Sequence, residues 1–228
     1  MGNLGLKKEK PFNPLDRRNL GASVAEALLE RDAMPLKEQP EVLGAGIYAI
    51  YYTGGFEPYQ YISNANRDRC FRLPIYVGKA IPKGARKGNV GLHQEPGPEL
   101  NKRVKDHAES IEAVENLDIN DFYYRYLIVE DIWIPLGESL LITKFSPIWN
   151  TLIDGFGNHD PGKGRYNQYR SRWDVLHPGR GWALKCRERQ ETREEIESEV
   201  LNHLAQQPSA EFLYREFHLF GTKGLKNE

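Results

Sequence analysis

The feature that most constrains the fold is the run at residues 46–52, GIYAIYY, which ends at the glycine pair Gly54 and Gly55. A β-branched and aromatic run that stops at turn residues predicts a strand. Residues 73–80 and 122–129 have the same character, and the segments between and after these runs show helical periodicity. The order β-β-α-β-α predicts a compact domain of the α+β class.

The amino-acid composition argues against several classes of protein. The chain has 228 residues, 39% hydrophobic and 28% charged, so it can bury a core, and no apolar run approaches the ~20 residues of a membrane span. The first residues lack the apolar core of a secretory signal. Cys70 and Cys186 lie far apart without metal-ligand spacing, which argues against a disulfide framework or a zinc site. We therefore expect a cytoplasmic protein with no membrane partner.

The charges are uneven although the net charge is only -1. Residues 79–107 carry seven basic and three acidic side chains, and residues 155–189 are again net positive. Such runs are often solvated helix faces, which is the alternative interpretation. Two basic stretches interleaved with tyrosine and tryptophan favour a nucleic-acid partner.

The pattern predicts three parts within one compact unit. Residues 1–43 form an N-terminal arm with one helix at 22–31, bracketed by prolines, which could wrap a partner or a second subunit. Residues 44–155 form the core, and residues 156–228 form a glycine-rich loop followed by C-terminal helices. A helix at 188–204 is either a dimer interface or simply core.

The predicted helix at 99–114 places a histidine on its apolar face. Leu100, Val104 and Ile111 define that face, His107 points into it, and Arg103 borders it. A histidine in this position is often a core residue with satisfied nitrogens, and a bordering arginine often extends to solvent. A cation beside a titratable imidazole also suits phosphodiester chemistry.

A carboxylate lies on the next helix, after Pro135. Glu138 shares a face with Leu141 and Ile142, which should pack against the sheet. A glutamate in a first helical turn is favoured by the helix dipole, which is the simpler explanation. A partly buried carboxylate is also a suitable single protein ligand for Mg²⁺.

These residues resemble the GIY-YIG nuclease superfamily. Gly46-Ile47-Tyr48 matches its first motif and Tyr76-Val77-Gly78 its second, with valine in place of isoleucine. Arg103, His107, Glu138 and Asn150 follow in the expected order over residues 44–155. Within the superfamily the sequence resembles the small type II restriction endonucleases that cleave CCGCGG, here called the restriction branch, and this similarity continues through residues 154–159 and 173–180. The resemblance implies a three-stranded, mainly antiparallel sheet flanked by helices, with residues 55–72 as an inserted loop.

The resemblance also implies roles for the matching residues. Tyr48 would be the general base, although a free phenol has a pKa of about 10 and needs help from Lys79 or His107, between which the sequence does not choose. Arg103 would stabilise the pentavalent phosphate. Glu138 would bind one Mg²⁺, with Mn²⁺ as an alternative ion, and Tyr76 and Asn150 would orient the phosphate or neighbouring side chains.

Recognition of a base sequence requires residues outside this core. We expect the loop at 154–180 to read guanines, or to hold phosphates, through its arginines. A palindromic site implies a homodimer, and a restriction enzyme implies a protective DNA methyltransferase in a bacterial host. The predicted contacts to double-stranded DNA are Arg67, Arg69, Lys83, Arg86, Lys163, Arg165, Arg170 and Arg172.

Other functions fit the sequence less well. A binding-only module would not need Tyr48, Arg103, His107 and Glu138 together. A repair or homing nuclease of this superfamily would normally carry a further DNA-binding or interaction domain. A histidine-centred nuclease built on Asn158-His159-Asp160 lacks a second ligand at a recognisable spacing.

Overall fold

A single antiparallel sheet organises the protein. The computed structural model describes residues 11–38, 41–82 and 96–213. The sheet has the order β1-β4-β2-β3. Its strands are β1 (Met34–Pro35), β2 (Gly46–Tyr52), β3 (Tyr76–Ala80) and β4 (Phe122–Ile128).

Strand β2 is central because it pairs antiparallel with β3 on one side and with β4 on the other. All seven of its residues are buried, so both faces of the strand are covered. A strand buried on both faces takes a continuous apolar run rather than an alternating one. The sequence of β2 therefore matches its position in the middle of the sheet.

The helices cover the sheet and continue into the C-terminal part of the chain. Pro135 occupies the first turn of α4, where its missing N–H costs nothing, and α1 packs against α4 of the same chain. A capping box between Thr192 and Glu195 begins α7. The helices are α1 (Arg17–Leu29), α2 (Gln60–Asn66), α3 (Glu99–Glu112), α4 (Ile134–Phe145), α5 (Ile148–Thr151), α6 (Arg172–Leu176) and α7 (Arg193–Ala205).

The segment between β2 and β3 is largely helical, and not the plain loop that the sequence predicts for residues 55–72. It contains α2 and short 3-10 turns on either side of it. Asn66 fixes the end of α2, because its side chain bonds the backbone oxygens of Tyr52 and Leu73 and accepts from the Leu73 N–H. These contacts tie the insertion to the ends of β2 and β3.

The α+β class, the flanking helices and the terminal extensions are confirmed. The two-residue strand β1, paired with β4, is an addition to the three predicted strands. Helix α1 begins at Arg17 rather than at residue 22, and α7 begins at Arg193 rather than at residue 188. Ile196, Val200 and Leu204 of α7 are buried within this chain. No helix in the described part of the chain is long and apolar enough to cross a membrane.

Candidate active site

A tyrosine and a histidine form the centre of the site. Tyr48 lies on β2 and His107 lies on α3, and both are buried. The Tyr48 hydroxyl is 2.7 Å from His107 Nε2. The sequence places His107 on the apolar face of its helix, and the fold pairs it there with a phenol.

Gly78 explains how the Tyr48 ring reaches this position. Gly78 lies opposite Tyr48 in the pairing of β2 with β3. A Cβ atom at residue 78 would clash with the Tyr48 hydroxyl and would lie 2.8 Å from the Tyr76 ring. The glycine of the second motif is therefore needed for close approach of a side chain rather than for an unusual backbone conformation.

Burial sets the protonation states of the central pair. It raises the pKa of Tyr48 well above the ordinary phenol value, and nearby Tyr76 adds to this effect while Arg103 opposes it. Burial also lowers the pKa of His107 well below its usual range, helped by the charge of Arg103. At neutral pH the phenol keeps its proton and the imidazole is neutral, so their hydrogen bond joins two uncharged groups.

Tyr76 and Arg103 complete one side of the centre. The Tyr76 ring lies 5.1 Å from the His107 ring, centroid to centroid, in an edge-on arrangement. Burial raises the pKa of Tyr76, so this phenol is also neutral. Arg103, one turn before His107 on α3, donates to the Gly157 carbonyl at 3.3 Å and contacts His159 Nε2 at 2.6 Å. Both acceptors are uncharged groups.

Lys79 and Glu138 form an ion pair beside this centre. Lys79 Nζ lies 2.5 Å from Glu138 Oε2, and the lysine side chain is 39% exposed while the glutamate is 17% exposed. Helix α4 begins at Ile134, so Glu138 is its fifth residue and lies beyond the first turn. The helix dipole therefore does not account for this carboxylate. The structure places His107, and not Lys79, in hydrogen-bond contact with Tyr48.

Asn150 contacts the backbone of β3. Its Oδ1 accepts from the Val77 N–H at 2.7 Å, and its Nδ2 donates to the Val77 carbonyl at 2.8 Å. Val77 lies between Tyr76 and Gly78, so this pair of bonds fixes the part of β3 that carries the second motif. The contact assigns Asn150 to the orientation of neighbouring residues.

Residues 155–159 form the outer wall of the site, a placement that helical and strand periodicity does not predict. The Phe156 ring stacks on His107 at 4.5 Å with an interplanar angle of 15°. A Cβ at Gly157 would lie 2.9 Å from Arg103 Nη2 and 3.2 Å from the Tyr76 hydroxyl. The sequence signal for this segment is its similarity to the restriction branch, which continues through it.

A buried arginine holds that wall in place. Arg180 is paired with Asp174 at 2.7 Å, and both side chains are almost fully buried. Its guanidinium donates to the backbone carbonyls of Gly155, Phe156 and Asn158. The arginine at the end of the predicted reading loop is therefore committed to the protein backbone.

The residues predicted to contact DNA differ in their exposure to solvent. Arg67, Arg69, Lys163 and Arg165 are exposed, whereas Arg170 is partly buried and donates to the Ala183 carbonyl at 3.2 Å. Arg172 is bonded to the Leu152 carbonyl and to the carboxylates of Glu191 and Glu199, which favours a structural role. Lys83 and Arg86 lie outside the described residues.

The donor set fits a hard divalent cation bound through one protein carboxylate. Among the described residues, no group of three or more His, Cys, Asp or Glu side chains is placed to hold a metal ion. Glu138 is partly exposed, and Oε2 is occupied by an ammonium group that a cation could displace. Mg²⁺ commonly takes one or two carboxylates and completes its shell with water and substrate phosphate.

The comparisons with known proteins agree with this geometry. A family model described as the Eco29kI GIY-YIG domain matches residues 41–204. A comparison with curated proteins gives no match. The matched region contains β2, β3, β4, all the residues of the site and α7 up to Leu204.

Proposed function

Because the chain belongs to the family of the Eco29kI GIY-YIG domain, it is a DNA endonuclease, and we propose that it is a type II restriction enzyme. The proposed reaction is Mg²⁺-dependent hydrolysis of both DNA strands at a short GC-rich palindrome, with CCGCGG as the first candidate. The observation that carries the proposal is the convergence of the Tyr48–His107 pair, Arg103 and the Glu138 carboxylate around strands β2 and β3.

Tyr48 and His107 act as a proton relay in this proposal. Hydrolysis requires that the attacking water lose a proton, and a phenol held neutral by burial is a poor base by itself. The Tyr48 hydroxyl accepts the water proton while it passes its own proton to His107 Nε2, 2.7 Å away. No phenolate is needed in the resting protein, and the neutral state of His107 makes it the acceptor.

Arg103 binds the scissile phosphate and offsets the charge that develops on it. A guanidinium presents five N–H donors in a planar fork that suits phosphate oxygens. It donates to the Gly157 carbonyl and to His159 Nε2, two uncharged groups that bind a guanidinium less strongly than an anion does. Tyr76 and Asn150 orient the phosphate and strand β3, respectively.

Glu138 holds the single Mg²⁺ or Mn²⁺ ion, which supplies charge stabilisation for the leaving 3′ oxygen when it is bound. Lys79 pairs with this carboxylate in the free protein. With a cation held by Glu138, the ammonium group would be free to contact the phosphate. Lys79 therefore balances the charge of the carboxylate in the free protein and would add positive charge in the complex.

Site recognition is proposed for the exposed basic residues at the edges of the site. Lys163 and Arg165 lie in an exposed 3-10 turn of the loop at 154–180. Arg67 and Arg69 lie at the end of the insertion. A two-fold symmetric homodimer would present these residues twice to a palindrome, as in other symmetric readers. A cytoplasmic location and a protective methyltransferase in the host remain predictions of the same proposal.

The direct test is digestion of long unmethylated DNA by the purified protein with Mg²⁺, with Mn²⁺ or with EDTA, followed by sequencing of the ends. Discrete fragments that require the divalent ion and share one sequence at their ends are expected. Nonspecific degradation would favour a repair-type nuclease. Binding without cleavage at low salt would favour a binding-only module, and either result would reject the restriction function.

The role of Glu138 is tested by Glu138→Gln. We expect the variant to bind DNA in EDTA as the wild type does and to lose cleavage by about 10²-fold or more, because an amide is a weak ligand for Mg²⁺. Glu130→Gln is a matched control, since Glu130 is exposed just before α4. Equal loss of binding and cleavage in Glu138→Gln would reject the metal-ligand assignment.

A further inference from the structure

His159 lies at the surface of the active site, directly beside the arginine that the proposed function assigns to phosphate. It belongs to residues 155–159, the wall in which Phe156 stacks on His107 and Gly157 accepts from Arg103. His159 Nε2 is 2.6 Å from Arg103 Nη1, and its side chain is 60% exposed. His107 and His177, in contrast, are buried.

The Arg103 contact fixes the role of His159 in the free protein. A guanidinium can only donate hydrogen bonds, so the imidazole must accept through Nε2 and must be neutral in this contact. One N–H of Arg103 is therefore bonded to a neutral nitrogen in the free protein. An anion would accept a stronger hydrogen bond from the same N–H, because both partners would then be charged. His159 Nε2 marks the place where an oxygen of a bound phosphate would lie.

The surroundings of His159 allow it to stay beside the phosphate after this exchange. Its Nε2 contacts Arg103 and also lies 3.9 Å from Asp106 Oδ2. Asp106 lies three residues after Arg103 on α3, and its side chain is 26% exposed. With a proton on Nε2, the same imidazole donates to an anionic oxygen of the phosphate.

We propose that His159 is a further catalytic residue that binds a non-bridging oxygen of the scissile phosphate together with Arg103. In the free protein it accepts a hydrogen bond from Arg103, and in the DNA complex it donates one to the phosphate. The inference rests on the proposed function, since it requires that Arg103 bind the phosphate that is cut. It assigns to residues 155–159 a part in the chemistry as well as in the shape of the site.

The test compares wild type, His159→Ala and His159→Gln on two duplexes that contain the site cut by the wild-type protein. One duplex is unmodified. The other carries a methylphosphonate at the scissile position, which replaces one non-bridging oxygen by a methyl group, with the two diastereomers separated. His203→Ala on α7 is the matched control, because His203 contacts Gln207 at the end of that helix and lies outside the site.

We expect His159→Ala to slow single-turnover cleavage of the unmodified duplex by roughly 10²-fold or more, as for loss of one donor to a charged transition state. In EDTA the same variant should bind this duplex roughly tenfold more weakly, because a hydrogen bond to a charged group is lost. For one methylphosphonate diastereomer the loss of binding should disappear, since the oxygen that His159 contacts is already absent. His159→Gln should recover part of both losses through its amide N–H.

The outcomes separate the two proposals. A wild-type protein that cuts no DNA rejects the proposed function and this inference with it. If the wild type cuts and His159→Ala cuts and binds equally well, the inference alone is rejected. If His159→Ala weakens binding to the unmodified duplex and to each methylphosphonate diastereomer by the same factor, His159 does not contact the scissile phosphate. The inference is then rejected as well.

Discussion

Two tyrosine–histidine pairs with nearly the same geometry occupy different parts of this protein. Tyr48 and His107 are joined by a hydrogen bond of 2.7 Å, with ring centroids 5.5 Å apart and an interplanar angle of 50°. Tyr59 and His177 are also joined at 2.7 Å, with centroids 5.5 Å apart and an angle of 54°. All four side chains are buried. The geometry of the pair therefore does not distinguish the active site.

The hydrogen bonds of the second pair, Tyr59 and His177, are made with uncharged groups. The Trp149 indole N–H donates to the Tyr59 hydroxyl at 2.9 Å, and Tyr59 in turn donates to His177 Nε2. His177 Nδ1 then donates to Asn116 Oδ1 at 3.0 Å, and the Asn116 amide donates to the Leu176 carbonyl. Every link runs in one direction and ends on the backbone, as expected of a structural network.

Charged groups act on the pKa values of both pairs, with Glu197 near Tyr59 and Arg193 and Arg180 near His177, but the first pair lies beside a cation that reaches the surface. The pKa of Tyr48 responds to Arg103 and Glu138 as well as to burial, and the charge of Arg103 contributes to the lowered pKa of His107. Arg103 itself reaches the surface, where it contacts His159. The comparison teaches that a buried tyrosine–histidine pair becomes a candidate relay when a neighbouring cation such as Arg103 connects it to the surface.

The largest difference between the two pairs is expected when the hydroxyl of Tyr48 or of Tyr59 is removed. Tyr48→Phe should lower the rate of DNA cleavage by about 10²- to 10⁴-fold, because the proton relay is lost. Tyr59→Phe should keep the cleavage rate and lower the free energy of unfolding by about 1–3 kcal/mol, because Trp149 loses its acceptor. Cleavage assays and urea unfolding of both variants measure the two effects. Similar cleavage losses in the two variants would contradict the distinction.

A smaller loss is expected when the Tyr48 ring is displaced but kept. Gly78→Ala places a methyl group against the Tyr48 hydroxyl, so the relay is misplaced and cleavage should fall by about 10²-fold. Gly55→Ala is the matched control, because Gly55 precedes Phe56, whose ring packs against the second pair, and a Cβ at residue 55 meets no atom within 4 Å. Normal cleavage by Gly78→Ala would show that Tyr48 does not need this position.

The smallest predicted effect is a pH dependence of the free energy of unfolding, to which the histidines of both pairs should contribute. Burial lowers the pKa of both His107 and His177 well below the usual value of about 6.5. As the pH falls below about 6.5, the unfolded chain binds protons that the folded chain does not. The free energy of unfolding should then fall by up to about 1.4 kcal/mol per pH unit for each histidine, until the pH reaches the folded pKa.

Urea unfolding measured at about pH 7.5 and at about pH 5.5, on either side of the histidine value, checks this slope. His177→Gln should reduce it by about half while leaving the contribution of His107. A stability that does not change over this range would mean that the two imidazoles are accessible to protons in the folded protein. The relay, in contrast, should keep working while His107 stays neutral.

Much of the site follows from local patterns. The order of the motifs predicts Tyr48, Tyr76, Arg103, His107, Glu138 and Asn150 as one group, and the structure brings them to β2, β3 and the adjoining helices. The helical periodicity that places His107 on the apolar face of α3 is enough to predict its burial. The match of the family model over residues 41–204 agrees with the resemblance of these motifs.

Local sequence patterns do not predict contacts between segments that are distant along the chain. Whether Lys79 or His107 assists Tyr48 depends on the distance between strand β2 and helix α3, which no local pattern contains. The same holds for Arg172, whose basic character predicts a DNA contact but whose partners, Glu191 and Glu199, come from a later segment. Arg180 likewise bonds the wall of the site instead of solvent.

The sequence by itself determined the α+β class, strand β2 and the set of chemical groups, because strand and helix periodicity and motifs are properties of neighbouring residues. Only the tertiary structure decided which groups share a proton, which arginines are engaged by the protein and that residues 155–159 border the active site. The physical reason is that pKa values and hydrogen-bond partners depend on burial and on charges within a few ångströms, whatever their separation along the chain.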